Sequence, residues 1–127
     1  MSPLRVLVVD DNRDAADSLA LLLKILGQEA CAAYDGPTAL KLACMFRPEL
    51  ALLELDLGCD MDGYEVARRL RDQVGLLVAV TGSARVEDRL RCDEAGFDFF
   101  LLKPFDLAEV QRLLAGTRPA TALRPAV

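Results

Sequence analysis

Six side chains of this chain are of types that do chemistry together. Asp10 and Asp11 are adjacent and follow the apolar run Leu4 to Val9. Glu54 ends the run Leu50 to Leu53, with Asp56 two residues further on. Thr81 follows Leu76 to Val80, and Lys103 follows Phe99 to Leu102. Carboxylates, a hydroxyl and one ammonium make a site for a hard cation and a phosphate. Oxygen ligands with retained waters suit Mg²⁺. A lysine and a cation together would balance the charge on a phosphoryl group. Unneutralised carboxylates would repel and raise one another's pKa, so Lys103 or a metal is required before any phosphate arrives. The 127 residues contain no histidine. Ser-His and Cys-His nucleophile pairs and His-ligated metals are therefore excluded, and the chain cannot itself donate from a phosphohistidine.

These residues need elements that bring them to one place. Leu4 to Val9 is a continuous apolar, β-branched run, as expected of a strand covered on both faces. Asn12 to Leu26 carries Ala16, Leu19, Leu22, Leu23 and Leu26 at helical spacing and is closed by Gly27. Glu29 to Ala33 reads as a short strand. Asp35-Gly36-Pro37 opens a second helix running to about Met45, with Pro37 suited to its first turn. Leu50 to Glu54 is the third strand, and Asp62-Gly63-Tyr64 opens a helix through Leu70. Leu76 to Val80 is the fourth strand. Arg85 to Ala95 is a charged helix closed by Gly96, its apolar anchors expected at Val86 and Leu90. Phe99 to Leu102 is the fifth strand, and Asp106 caps a last helix bearing Leu107, Val110, Leu113 and Leu114.

Five strands alternating with five helices imply a parallel α/β sheet with helices on both faces and right-handed crossovers. The common small solution is the flavodoxin-like (βα)5 three-layer sandwich with strand order 2-1-3-4-5. In that order strands 1, 3, 4 and 5 end near one another, and ligands bind outside the carboxyl ends of strands near the switch point. Asp10, Asp11, Glu54, Thr81 and Lys103 all sit at those ends. Residues 1–115 form the expected domain. Residues 116–127, rich in Thr, Ala and Pro, read as a flexible tail or linker.

Composition narrows the function further. The net charge is −5, which disfavours direct contact with nucleic acid. No apolar run reaches the ~18 residues of a membrane span, and the first residues lack the features of a signal peptide, so a cytoplasmic protein is expected. Cys31, Cys44, Cys59 and Cys92 are widely spaced without a C-x-x-C pair, which suggests reduced thiols rather than a zinc or dithiol site. Arg85, Arg89 and Arg91 interleave with acids and read as a solvated helix face.

Five segments in order carry a family resemblance: Val8-Val9-Asp10-Asp11-Asn12, Pro48 to Leu53, Met61-Asp62-Gly63-Tyr64-Glu65, Val80-Thr81-Gly82, and Lys103-Pro104-Phe105. Together they resemble the receiver domain of two-component response regulators and hybrid histidine kinases, over residues 4 to 115. The resemblance implies that Asp10 and Asp11 hold Mg²⁺; the position of Asp56 beside Glu54 makes it either a substitute acceptor or a metal ligand through its carbonyl. It implies that the Thr81 hydroxyl turns toward the phosphate, that Lys103 pairs with the acceptor and its phosphoryl group, and that Phe100 packs inward or outward with activation. It places the partner surface on the fourth helix, fifth strand and fifth helix.

The chain departs from the pattern at the acceptor. The position six residues after Pro48, where receivers carry Asp, holds Glu54. Counted back from Gly63 the acceptor would fall on Leu55, so one residue is inserted in Leu55 to Asp60. With strand alternation, Glu54 and Asp56 share a side, roughly 6.6 Å apart if both are extended. Two readings follow. In one, the domain is an atypical receiver that works without phosphorylation because Glu54 replaces the acceptor. In the other, it accepts phosphate on Asp56 or Glu54 with Mg²⁺. The chain is not expected to be an enzyme: a haloacid dehalogenase-type phosphatase needs Asp-x-Asp, whereas Asp10 and Asp11 are adjacent. The implied partners are a histidine kinase or other signalling protein, or an output domain of a longer chain.

Overall fold

The computed structural model describes residues 3–58, 61–82 and 85–116. Strands β1 (Arg5–Val9), β2 (Glu29–Ala33), β3 (Leu50–Glu54), β4 (Leu76–Thr81) and β5 (Phe99–Leu102) alternate with helices α1 (Arg13–Ile25), α2 (Gly36–Phe46), α3 (Gly63–Leu70), α4 (Val86–Ala95) and α5 (Leu107–Gly116). All strand pairs are parallel and the order is β2-β1-β3-β4-β5. This is the expected doubly wound architecture.

The apolar strands are explained by the pleat. Successive side chains point to opposite faces, and each face has its own core. Val6, Val8, Leu50, Leu52, Val78 and Val80 pack with Ala16, Ala20 and Leu23 of α1 and Val110 and Leu114 of α5. Leu7, Val9, Ala51, Leu53, Leu77 and Ala79 pack on the other side with α2, α3 and α4. Fully burying one such Val or Leu contributes roughly 1.5–3 kcal/mol, so a charged residue in the middle of β1, β3 or β4 would be excluded. Charges enter only where the strands end.

Side chains start the helices as expected. Asn12, Asp35, Asp62 and Asp106 accept hydrogen bonds from the backbone N–H of Ala15, Thr38, Glu65 and Glu109. Glu109 reaches back to the Asp106 N–H, which completes a capping box.

One expectation is corrected. Val86 and Leu90 do not anchor α4, being 70% and 60% exposed. The buried residues of that helix are Cys92 and Ala95. Leu90 and Cys92 are about 200° apart around a helix, so only one of the two faces can meet the body. The small pair lets α4 lie close, and Val86 and Leu90 are turned outward.

Cys31, Cys44 and Cys92 are free thiols. Among the described residues no helix is long and apolar enough to cross a membrane. Cys59, Asp60 and the expected tail beyond Gly116 lie outside the described residues.

Candidate functional site

Asp10 and Glu54 have the same strand parity as Val8 and Leu52, so both follow the α1 and α5 side of the sheet. Lys103 continues Leu101 and arrives on that side as well. Its backbone N–H donates to the Thr81 carbonyl at 2.8 Å, which ties it to the end of β4. Its Nζ donates to Glu54 Oε1 at 2.6 Å and to Asp10 Oδ2 at 3.1 Å. Asp10 is 7% exposed and Glu54 9%, while the Lys103 side chain is 35% exposed. One cation therefore bridges two nearly buried carboxylates. Burial pulls the Lys103 pKa down, but hydrogen bonds and charge from Glu54 and Asp10 together outweigh it and hold it above its ordinary value.

The remaining oxygens are also used. Asp10 Oδ1 accepts from the Asn12 N–H at 3.0 Å. Glu54 Oε2 accepts from the Asp56 N–H at 3.3 Å. The strand ends at Glu54, so Glu54 and Asp56 are not two rungs of an extended ladder. The chain bends there, and the extra methylene of Glu lets its carboxylate reach the backbone two residues on. Asp56 is exposed, and its Oδ1 accepts from the Gly58 N–H at 3.1 Å, an Asx turn. Gly58 has φ +67°. A Cβ on it would come within 3.2 Å of Asp11 Oδ2, so this loop brings the backbone close to the second acid.

Gly63 closes the loop from the other end. Its N–H donates to the Leu55 carbonyl at 2.9 Å. A Cβ at this position would fall on the Glu54 carbonyl oxygen and within 2.8 Å of the Leu55 Cα. Only glycine lets α3 begin this close to the end of β3.

An open cleft of about 600 Å³ lies over these strand ends. Asp11, Glu54, Asp56 and the buried Thr81 line one part of it. Tyr64, Arg85, Asp88 and Arg91 line the rest. The arginines are therefore not simply a solvated face: Arg85 and Arg91 line the cleft. Residues 85, 88 and 91 recur every three positions, which puts them on one side of α4; that spacing was the available signal.

The expected metal ligands, Asp10, Asp11 and the Asp56 carbonyl, all lie at the carboxyl ends of β1 and β3. Asp10 is committed to Lys103 and to the Asn12 N–H, while Asp11 and Asp56 are exposed at the cleft. Among the described residues no three His, Cys, Asp or Glu side chains are grouped to hold a metal ion. The donors that do face the cleft, Asp11, Asp56 and Glu54, are all hard oxygens, which is the right chemistry for Mg²⁺.

Phe100 is half-buried against the α2–α4 core. The Arg89 guanidinium covers its ring at 4.9 Å from the centroid.

A family model described as the response regulator receiver domain matches residues 6–115. The transcriptional regulatory protein PrrA of Mycobacterium tuberculosis is 41% identical over 108 residues, covering 84% of this chain and 46% of that protein. The response regulator MprA of Mycolicibacterium vanbaalenii is 38% identical over 124 residues, covering 92% and 53%. The chain thus spans about half the length of the curated relatives it matches. Among solved structures, the receiver domain of a sensor histidine kinase from Pseudomonas aeruginosa PAO1 is similar at a TM-score of 0.77 and 32% identity, covering 88% of this chain and 94% of that one. It was determined with a magnesium ion coordinated in its active site cleft. The chemotaxis protein CheY4 of Vibrio cholerae shares the fold at a TM-score of 0.83 and 23% identity, covering 91% and 99%. With five parallel strands in this order and acids, threonine and lysine at their carboxyl ends, the chain belongs to the response regulator receiver domain family.

Proposed function

We infer that this is a receiver domain of two-component signal transduction that signals without phosphorylation of residue 54. One observation carries the reading: Glu54 already holds Lys103 at 2.6 Å, jointly with Asp10. A phosphorylated acceptor would present negative charge to that lysine. Glu54 supplies such charge permanently, one methylene further out than an aspartate. Although its carboxylate reaches the cleft, both oxygens are already engaged, Oε1 by Lys103 and Oε2 by the Asp56 N–H, which disfavours it as a nucleophile.

The second reading keeps phosphoryl chemistry and moves it to Asp56. The exposure of Asp56 at the cleft favours this. In either reading Asp11 is the carboxylate best placed to hold Mg²⁺, with the Asp56 backbone carbonyl as a candidate partner. When bound, the ion would neutralise charge in the cleft. The chain's own residues position it, and Lys103 carries the complementary charge.

The partner is a histidine kinase or other signalling protein, or an output domain attached in a longer chain. Val86, Leu90, Leu102 and Leu107 are exposed on α4, at the end of β5 and at the start of α5, and this is the surface proposed for it. The net charge of −5 argues against direct nucleic-acid binding by this domain. A cytoplasmic location and a signalling rather than enzymatic role belong to the same reading.

The test is incubation with acetyl phosphate and Mg²⁺, then trapping of acyl phosphate and mapping by mass spectrometry. No label on residue 54 is expected. Stoichiometric label on Glu54 would refute the first reading, and label on Asp56 would establish the second.

A further inference from the structure

Helix α4 is joined to the body in an unusual way. Its outward apolar residues Val86 and Leu90 contribute nothing to anchoring. The residue before its first turn, Arg85, makes no side-chain capping bond. Only Cys92 and Ala95 are buried. The contacts that hold it run instead to the start of α3. The Arg91 guanidinium lies 3.9 Å from the centroid of the Tyr64 ring and 3.8 Å from Asp62 Oδ2. The Tyr64 hydroxyl donates to Asp88 Oδ1 at 3.4 Å, and within the first turn of α4 Arg85 Nε holds the other oxygen of Asp88 at 3.2 Å. Below them the Tyr64 ring meets Phe97 edge-on.

We propose that these contacts form a polar latch between α3 and α4, and that α4 opens as a separate unit when the latch is weakened. A helix with few buried apolar contacts belongs to the low-stability end of a structure. Ion pairs whose arginines are exposed to solvent are individually weak and screened by salt, and a cation–π contact adds an interaction of similar size. A latch made of them holds α4 in place at low cost to reversibility. Asp62, Tyr64, Arg85, Asp88 and Arg91 all line the cleft, so a charge arriving there acts on the latch directly. The position of the Val86–Leu90 edge is thereby tied to the cleft through α3, by a route that involves neither Thr81 nor Phe100.

Cys92 reports the opening. It lies on the inward face of α4 and is buried. Burial, and then Asp88 and Asp93, push its thiol up to about 11, with a hydrogen bond to Tyr64 and then the charge of Arg91 working against them. Loss of Arg91 would by itself make the thiol less reactive, so faster labelling can only mean better access. The experiment is labelling with N-ethylmaleimide, mapped by mass spectrometry, with Cys31 in β2 as the internal reference. In Arg91→Gln the Cys92 rate should rise about tenfold relative to Cys31, as expected for loss of one stacked and paired guanidinium. Arg91→Lys, which keeps the charge but not the planar stack, should lie between. In the unaltered protein, raising salt from about 10 mM to about 1 M, which shortens the screening length from about 30 Å to about 3 Å, should raise the same ratio. A Cys92 to Cys31 ratio that does not change with salt would overturn the proposal. So would equal acceleration of both cysteines, because α4 would then open only with the whole domain.

Discussion

Lys103 Nζ lies 2.6 Å from Glu54 Oε1 and 3.1 Å from Asp10 Oδ2, and this bridge joins the ends of three strands. It satisfies two nearly buried carboxylates with one cation. Its consequences for stability are therefore asymmetric. Removing the lysine leaves two acids facing each other, whereas removing one acid leaves a neutral pair.

The bridge predicts an alkaline-side dependence. The folded-state pKa of Lys103 is raised above the ordinary value of 10.5. Its contribution is thus fully present below the unfolded pKa and is lost as pH rises through the folded one. Breaking a buried pair costs roughly 3–5 kcal/mol. The lysine is about one-third exposed, so solvent screening should reduce the loss in Lys103→Met to about 1–2 kcal/mol at neutral pH. Urea titrations between pH 8 and pH 12 should show the unaltered protein losing this advantage at the top of the range and Lys103→Met having none to lose. Parallel curves would refute the bridge as a stabilising contact.

Asp10 and Asp11 should separate by role. Asp11 faces the cleft, and Asp10 faces Lys103. Calorimetric titration with Mg²⁺ should give at least about tenfold weaker binding in Asp11→Ala, the usual scale for losing a ligand or its support. Asp11→Ala should unfold at nearly the same urea concentration as the unaltered protein. Asp10→Ala should shift the urea midpoint more than Asp11→Ala does. Equal, saturable Mg²⁺ affinity in Asp11→Ala would remove that residue from the site.

Gly63 should be intolerant of any side chain. Its Cβ would strike the Glu54 carbonyl and the Leu55 backbone. Overpacking of this kind costs roughly 1–3 kcal/mol. Gly63→Ala should therefore lower the urea midpoint. Because the displaced atoms belong to residues 54 and 55, it should also disturb the backbone amide resonance of Asp56, which bonds to Glu54. A stable Gly63→Ala protein with an unmoved Asp56 signal would mean that the loop is more compliant than this geometry allows.

Most of the architecture was legible because it depends on local periodicity. Continuous apolar strands, four capping residues and the helix-ending Gly27 and Gly96 are each signals carried by a few neighbours. The convergence of Asp10, Glu54 and Lys103 was legible too, once strand order was assumed, because all three sit directly after strands. What could not be read depended on how much room a packed surface leaves. The outward turn of Val86 and Leu90 follows from the small volume of Cys92 and Ala95, which lets α4 settle on its other face. The stacking of Arg91 on Tyr64 joins two elements whose relative placement no periodicity records. Asp10 carries an expected metal role, and its contact with Lys103 depends on a strand neighbour that the sequence around residue 10 does not record. The extended spacing for Glu54 and Asp56 holds only if both residues are in the strand, and β3 ends at Glu54 with a bend at Leu55.

Receiver signalling by Glu54 requires that its charge bias the Phe100 ring toward the core. In this structure the ring is half-buried on the core and covered by Arg89. The chain has no tryptophan, so Phe100→Trp installs a single fluorescent reporter at that position. Glu54→Gln in that background removes the charge while nearly preserving shape, and it should release Lys103 from one of its two partners. If the charge maintains the ring's position, tryptophan emission should shift to the red and quenching by acrylamide should increase. Arg89→Ala in the same background uncovers the outer face of the ring and should increase quenching even with Glu54 intact. The two changes should then be non-additive, since a ring already turned outward has less to lose from removal of its cover. Emission that follows Arg89 but ignores Glu54 would show that residue 54 does not reach the switch. Constitutive signalling through Glu54 would then fail, leaving Asp56 as the residue to which any phosphate-driven signal must be traced.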